Sequence, residues 1–171
     1  MKTTVFLFHP NFNDSIVNKA LAEAAKGASI EVRKVYELYP DGVIDVGAEQ
    51  KALEATDRIV LQFPMYWYSS PSLLKQWEDD VLQYGWAYGS TGTALHGKEL
   101  LIATSTGAQE QEYLATGKYK MTVEELLAPF KATCHMVGLT WLAPFVTYGT
   151  LGIEANRLNE AAKGYVGRLQ G

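Results

Sequence analysis

Five short segments rich in β-branched or aromatic residues alternate along the chain with segments of helical periodicity. Each strand-like segment precedes a helical one, which is typical of a parallel sheet with helices on both faces. The pattern therefore predicts an α/β, doubly wound domain with a five-stranded parallel sheet. The predicted strands span residues 4–8, 29–36, 58–63, 99–104 and 140–148.

The helical segments show apolar residues three or four positions apart. In the first one, Ile16, Val17, Ala20 and Leu21 share one face, so this segment predicts an amphipathic helix. Pro129 falls inside the fourth, where a missing N–H and a ring clash predict a kink or a break. The predicted helices span residues 15–26, 47–56, 72–81, 122–137 and 154–169.

Length and composition favour one globular domain over residues 1–171. A chain of 171 residues that is 47% hydrophobic and 20% charged can bury a sizeable core without disulfides or metals. The net charge of −4 comes from 19 acidic and 15 basic residues without a basic run, which argues against a nucleic-acid partner. The three histidines are too far apart in sequence for a zinc motif, so we expect no metal site.

The same features predict a cytoplasmic protein. The apolar run near the start, Val5 to Phe8, is too short for a signal peptide, and no segment predicts direct membrane insertion. The single cysteine, Cys134, cannot form an internal disulfide, which agrees with a reducing compartment.

The loop after the first strand is a candidate phosphate site. It runs from His9 to Ser15, and Ser15 is placed to cap the first helix, whose free N–H groups favour an anion. Asn18, one turn into the helix, extends an amide toward the same place. The alternative is that Ser15 is only a helix cap and His9 only a loop residue.

The loop after the third strand carries three consecutive aromatic residues. Flat side chains with exposed backbone N–H groups suit a planar heterocycle such as an isoalloxazine ring. An aromatic core plug or a dimer contact is the alternative. The loop reads Phe63, Pro64, Met65, Tyr66, Trp67, Tyr68, Ser69, Ser70, Pro71.

A third loop follows the fourth strand and reads Thr104, Ser105, Thr106, Gly107, Ala108. Gly107 would let the backbone approach a ligand closely. Because the carboxyl ends of parallel strands meet at one edge of a sheet, all three loops should converge there. The chain has no Gly-x-Gly-x-x-Gly, Walker or Gly-x-Ser-x-Gly motif, so a Rossmann-type dinucleotide site, nucleotide hydrolysis and an α/β-hydrolase elbow are unsupported.

These motifs, together with Trp77-x-Asp79-x-Val81-Leu82 and Trp86-Ala87-Tyr88-Gly89, resemble the NAD(P)H quinone oxidoreductases of the DT-diaphorase type. The chain is most similar to their short bacterial branch, which includes general stress protein 14 and the ancillary subunit of glutathione-gated potassium efflux. The likeness runs from about Val5 to Tyr148. It implies a flavodoxin-like fold with strand order 2-1-3-4-5.

The resemblance also implies roles for individual residues. His9, Ser15 and Asn18 match positions around the flavin phosphate, and the segment from Pro64 through Met65, Tyr66 and Trp67 to Tyr68 matches the lining of the isoalloxazine ring. Thr106, Gly107, Ala108 and Tyr113 match the pyrimidine edge. Tyr113, Tyr119 and Trp67 are the predicted catalytic residues. The chain has Ala108 where the family often has a second glycine, and Tyr119 where DT-diaphorase enzymes carry a histidine.

By this resemblance the chain is a flavoenzyme in which NAD(P)H gives a hydride to the flavin and a quinone-like acceptor then takes two electrons. FMN is the expected cofactor, with FAD as the alternative, because the short chain has no obvious segment to embrace an adenine. A flavin-bound regulatory subunit of a potassium efflux transporter is a second hypothesis, and a flavodoxin-type electron carrier is a third. The likeness and the cluster of Tyr84, Trp86 and Tyr88 predict a homodimer.

Overall fold

A parallel sheet forms the centre of the molecule, with strand order β2-β1-β3-β4-β5. The computed structural model describes residues 1–171. Both β5 and β6 pair with β4 in parallel, so these two short strands share one edge of the sheet. The predicted order 2-1-3-4-5 is confirmed. The strands are β1 (Thr3–Leu7), β2 (Glu31–Lys34), β3 (Arg58–Pro64), β4 (Glu99–Ser105), β5 (Thr140–Trp141) and β6 (Phe145–Thr147).

The predicted fifth strand, residues 140–148, is divided in the structure. Trp141 lies opposite Leu100 and Phe145 lies opposite Ala103, so the edge segment takes one more residue than β4 over the same distance. Pro144 lies in the gap and has no N–H to donate to a ladder. The interruption therefore separates β5 from β6 at a place where edge pairing cannot continue.

The predicted second strand, residues 29–36, is too long at both ends. Ser29 has a φ of 62°, outside the extended region, and pairing with β1 ends at Lys34. Val35 then turns into the core, where it is fully buried, and begins a short helix that contains Tyr36. The strand therefore ends two residues earlier than β-propensity alone predicts, because Val35 is buried in the core instead.

Seven helices pack on the sheet, and none of them is both long and apolar enough to cross a membrane. The predicted break in the fourth long helix is confirmed, because one helix ends at Leu126 and the next begins at Ala128. Pro129 lies in the first turn of that next helix, where its missing N–H costs nothing. The helices are α1 (Val17–Gly27), α2 (Val35–Leu38), α3 (Val46–Glu54), α4 (Ser72–Val81), α5 (Val123–Leu126), α6 (Ala128–Met136) and α7 (Ala155–Gln170).

Two apolar layers, one on each face of the sheet, form the core. The side chains of β1 and of Phe8, the residue after it, alternate between them: Val5 and Leu7 pack in one layer, and Phe6 and Phe8 in the other. The first layer includes residues of α1 and α7, and the second includes residues of α3, α4 and α6. Because both faces are covered, ligands can reach the sheet only at its edges or strand ends.

Candidate functional site

The phosphate loop, residues 9–15, connects β1 to α1. The Ser15 hydroxyl accepts a hydrogen bond from the Asn18 N–H at 3.1 Å, and Ser15 has an extended backbone. Ser15 therefore caps α1 as predicted. The N–H groups of Ile16 and Val17 form no hydrogen bond within the chain, so the positive end of the helix dipole retains two free donors.

His9 adds a donor to the phosphate loop. Its Nδ1 accepts a hydrogen bond from the Asn11 N–H at 3.1 Å. Burial lowers the pKa of His9 below its usual value, which favours the neutral ring. With Nδ1 as the acceptor, the ring proton of neutral His9 is on Nε2, which can donate to an anion.

The sequence predicts that the Asn18 side chain extends toward the phosphate loop, but in the structure it bonds to the end of β4. Its side chain is buried, and the amide nitrogen donates to the Ser105 hydroxyl at 2.9 Å. The Asn18 backbone carbonyl accepts from the Gln62 amide, also at 2.9 Å, and the Tyr165 hydroxyl donates to Gln62 at 3.0 Å. Buried polar groups at the ends of β3 and β4 need partners, so Asn18 joins α1 to the strand ends instead of reaching into the loop.

The aromatic turn, Tyr66 to Ser69, follows β3. Tyr66 and Ser69 exchange two backbone hydrogen bonds of 3.0 Å, while Trp67 and Tyr68 have φ of 47° and 64°. A two-residue turn with positive φ at both central positions is usually built from Asn-Gly. Here two large residues hold that conformation, and the Trp67 side chain is 92% exposed.

Four tyrosines from three loops form a tyrosine cluster, defined as Tyr68, Tyr113, Tyr119 and Tyr148. The Tyr119 ring centroid lies 4.8 Å from that of Tyr113 and 5.1 Å from that of Tyr68. Tyr113 and Tyr148 are 6.0 Å apart. The cluster therefore joins the loops that follow β3, β4 and β6 at one edge of the sheet.

A cleft of about 490 Å³, here the ring cleft, opens between the aromatic turn and the loop after β4. Its wall is mostly apolar or aromatic, as a planar heterocycle requires. Seven predicted site residues line it; Pro64, Tyr66 and Thr106 do not, and His9, Ser15 and Asn18 belong to the phosphate-loop region. The lining residues are Met65, Trp67, Tyr68, Gly107, Ala108, Glu112, Tyr113, Lys118, Tyr119 and Leu151.

Two backbone N–H groups are available as donors in the loop after β4. The Thr106 N–H donates to the Thr147 carbonyl at 2.9 Å, so pairing with the end of β6 occupies it. The N–H groups of Gly107 and Ala108 form no hydrogen bond within the chain. Gly107 and Ala108 are therefore the backbone donors available to a ligand at this position.

Tyr113 contributes a protonated hydroxyl. The residue is 7% exposed, and burial raises the pKa of its phenol above the usual value. A raised pKa keeps the proton on the oxygen at neutral pH. Tyr113 can thus donate a hydrogen bond in the ring cleft.

Three lining residues were missed at the sequence level: Glu112, Lys118 and Leu151. The Leu151 side chain lies over Gly107, where an added Cβ would meet it at 3.2 Å. Leu151 lies in the loop after the last predicted strand, at the same sheet edge, so the rule that selected the other loops could have found it. Glu112 and Lys118 carry no motif that separates them from ordinary surface charges.

The family model that describes the flavodoxin-like fold matches residues 1–169. Among curated proteins, an uncharacterized NAD(P)H oxidoreductase of Bacillus subtilis strain 168, YrkL, is 50% identical over 99% of this chain and 98% of its own. The glutathione-regulated potassium-efflux system ancillary protein KefF of Salmonella typhimurium strain LT2 is 46% identical, over 94% of this chain and 91% of its own.

Solved structures agree with this relationship. The general stress protein 14 of Treponema denticola, solved in complex with FMN, is 41% identical, with a TM-score of 0.94 over 99% of this chain and 98% of its own. An NADPH-quinone reductase from P. pentosaceus is 31% identical, with a TM-score of 0.89 over 99% and 98% of the two chains. The strand order is that of a flavodoxin-like sheet, and the family model covers nearly all residues. The chain therefore belongs to the flavodoxin-like fold family.

Proposed function

We propose that this chain is an FMN-dependent NAD(P)H oxidoreductase that reduces quinones or similar acceptors by two-electron transfer. The observation that carries the proposal is the placement of the aromatic ring cleft beside the capped helix end of the phosphate loop. Asn18 joins the two through its bond to Ser105, two residues before Gly107. The FMN complex of general stress protein 14 and the activities named for the relatives support it.

The residues present fit a flavin mononucleotide. The free N–H groups of Ile16 and Val17, the Ser15 hydroxyl and His9 Nε2 would hold the phosphate at the end of α1. Met65, Trp67 and Tyr68 would line the isoalloxazine ring. When bound, the flavin supplies the redox chemistry, accepting a hydride from NAD(P)H and passing two electrons to the acceptor.

The chain's own task is to orient the two substrates and to stabilise charge. The N–H groups of Gly107 and Ala108 and the Tyr113 hydroxyl would donate to the pyrimidine edge of the ring, where negative charge develops on reduction. Tyr119 and Trp67 offer flat surfaces for the nicotinamide and the quinone in turn. Because both substrates would use the same cleft, they would bind in turn, as in a ping-pong reaction.

A second copy of the chain is the partner we propose for the exposed aromatic surface near α4 and α6. Tyr84 is 71% exposed and Met136 is 64% exposed, and Tyr88 lines a cleft of about 990 Å³ between the two helices. The Trp86 indole N–H, in contrast, donates to Glu54 of its own chain at 2.8 Å. Light scattering should return a dimer mass; a monomer with full activity would contradict this proposal.

A transporter-associated role is a second candidate, favoured by the 46% identity to KefF. The two functions are compatible, because an ancillary subunit can also turn over NAD(P)H. Co-expression with a potassium efflux transporter, followed by efflux assays with and without this chain, tests the regulatory role separately from the reductase activity.

The test of the reductase is the absorbance spectrum of the FMN-loaded protein before and after anaerobic addition of NADPH. We expect the visible flavin band to bleach within the mixing time of the assay and to return when a quinone is added. Free FMN at the same concentration serves as the control. Chromatography of the flavin released from the protein as purified, before any FMN is added, distinguishes FMN from FAD. A band that persists with both NADH and NADPH would refute the proposed activity.

A further inference from the structure

Lys118 is the one cation among the ten residues that line the ring cleft. Its ammonium lies 3.8 Å from a carboxylate oxygen of Glu112, and its side chain is 69% exposed. An exposed pair at this distance is weak, so Lys118 can leave Glu112 to meet another anion. Lys118 and Glu112 are the two charged residues of the lining, and the other eight are neutral.

The backbone around Lys118 is held in place. The Gly117 N–H donates to the Leu114 carbonyl at 2.8 Å, and the Tyr119 N–H donates to the Glu112 carbonyl at 3.1 Å. The Lys118 ammonium lies 5.4 Å from the centre of the Tyr119 ring, which itself packs between Tyr68 and Tyr113. The ammonium thus stays beside the aromatic wall while its flexible stem lets it meet a ligand.

The two substrates of the proposed reaction differ in charge. A pyridine nucleotide carries a diphosphate, whereas a simple quinone is neutral. The chain has a net charge of −4, which opposes the approach of an anion, so a local cation at the cleft mouth favours the nucleotide selectively.

We infer that Lys118 is a specificity-determining residue that pairs with a phosphate of NAD(P)H when the nicotinamide enters the ring cleft. Lys118 is not required for the quinone, which brings no charge for it to meet. This inference rests on the proposed reductase function and adds to it the residue that recognises the electron donor.

The test compares Lys118→Gln with Lys118→Arg and with Lys163→Gln in the FMN-loaded protein. Lys163 is exposed on α7, far from the ring cleft lining, and its substitution makes the same change in net charge. In ping-pong kinetics the kcat/KM of each substrate is measured independently of the other. We expect Lys118→Gln to lower kcat/KM for NADPH about fivefold, the upper range for an exposed ion pair.

The same variant should leave kcat/KM for an uncharged quinone unchanged, and Lys118→Arg should restore the nucleotide value. Raising the ionic strength should lower the wild-type kcat/KM for NADPH more than that of Lys118→Gln. An equal loss with NADH and NADPH identifies the diphosphate as the partner, and a loss confined to NADPH identifies the 2′-phosphate.

Three results would overturn the inference. The first is an unchanged kcat/KM for both nucleotides in Lys118→Gln. The second is an equal loss in Lys163→Gln, which would indicate bulk charge. The third is a parallel loss for nucleotide and quinone with weaker FMN binding in a fluorescence titration, which would mean that Lys118 supports the flavin site through Tyr119. Failure of the wild-type flavin to be reduced by NAD(P)H would instead refute the proposed function itself.

Discussion

The phosphate loop and the aromatic turn follow neighbouring strands, β1 and β3, and end at the same edge of the sheet, yet they are built differently. In the phosphate loop, Ser15 caps a helix that begins one or two residues later, and the bond to Asn18 spans three positions. The aromatic turn instead places Trp67 and Tyr68 in a backbone conformation that large residues disfavour.

What supports the aromatic turn comes from other parts of the chain. Tyr68 packs on Tyr119, which lies 51 positions later, and Met65 donates its N–H to the Ser105 carbonyl at 2.9 Å. A helix cap is thus a local feature that neighbouring residues reveal, whereas a strained turn persists only where distant contacts hold it. Four variants test this difference.

The largest effect is expected from Tyr113→Phe, which removes a hydroxyl from the part of the site that contacts between distant residues hold together. Hydrogen-bond assistance of this kind contributes about 100-fold at its lower end, and we expect a loss at or below that value in quinone-dependent reoxidation. Burial raises the pKa of Tyr113, so the proton stays in place from about pH 6 to about pH 9 and this contribution should be constant there.

Stopped-flow measurement of the two half-reactions is the appropriate assay. Tyr148→Phe is the matched control, because Tyr148 belongs to the tyrosine cluster but does not line the ring cleft. Wild-type rates for both half-reactions in Tyr113→Phe would withdraw its catalytic role.

Next in size is Gly117→Ala, which disturbs the loop that carries Tyr119. A Cβ at Gly117 would stand 2.6 Å from the Glu112 carbonyl oxygen and still closer to that of Gln111. Backbone cannot yield as a flexible side chain does, so we expect a loss of about 1–3 kcal/mol in unfolding free energy and weaker FMN binding.

Gly167→Ala is the control for this substitution. Gly167 lies in α7 with nothing within 4 Å of the added Cβ, so alanine should be neutral or stabilising by up to about 1 kcal/mol. Denaturant unfolding of both variants provides the comparison. Equal stability of Gly117→Ala and the wild type would show that the loop tolerates the methyl group.

A gain in stability is expected when the aromatic turn receives the residues its backbone favours. The double variant Trp67→Asn with Tyr68→Gly should raise the unfolding free energy by about 1–2 kcal/mol, because it relieves two unfavourable conformations. It should also weaken FMN binding, because two walls of the ring cleft are lost. A destabilised double variant would mean that the lost packing against Tyr119 outweighs the strain.

The smallest effect is expected from Ser15→Ala at the phosphate loop. Loss of the cap should cost about 1 kcal/mol of stability, and FMN affinity should fall while NADPH-dependent turnover at saturating FMN is retained. Ser15→Thr, which keeps a capping hydroxyl, should recover most of both. Unchanged FMN affinity in a fluorescence titration of Ser15→Ala would refute the assignment of the phosphate loop. Asn18→Ala is unsuitable for this purpose, because it would leave Ser105 and Gln62 with a buried partner missing.

Hydrophobic patterning predicts most of the architecture because local periodicity and burial coincide in a fold with helices on both faces of one sheet. Individual residues predict the break near Pro129 and the cap at Ser15, and both features depend on residues adjacent in sequence. Hydrophobic patterning gives the wrong strand bounds at β2 and at the edge formed by β5 and β6, where tertiary pairing decides how far a strand extends.

The candidate site divides in the same way. Sequence alone identifies the aromatic turn and Gly107 as residues at the carboxyl edge, since strand-to-helix order places those loops together. It does not reveal that the Thr106 N–H is taken by Thr147, nor that Asn18 bonds to Ser105. Those partners lie 41 and 87 positions away and become neighbours only when the sheet forms.

By itself, then, the sequence determined the order of elements, the sheet edge at which the candidate site lies and the helix cap, because each follows from the order and spacing of residues along the chain. The tertiary structure decided which donors remain free, which tyrosines meet and that Lys118 stands at the mouth of the ring cleft. The physical reason is that hydrogen-bond satisfaction and side-chain packing depend on all neighbours at once, and strands distant in sequence supply most of those neighbours.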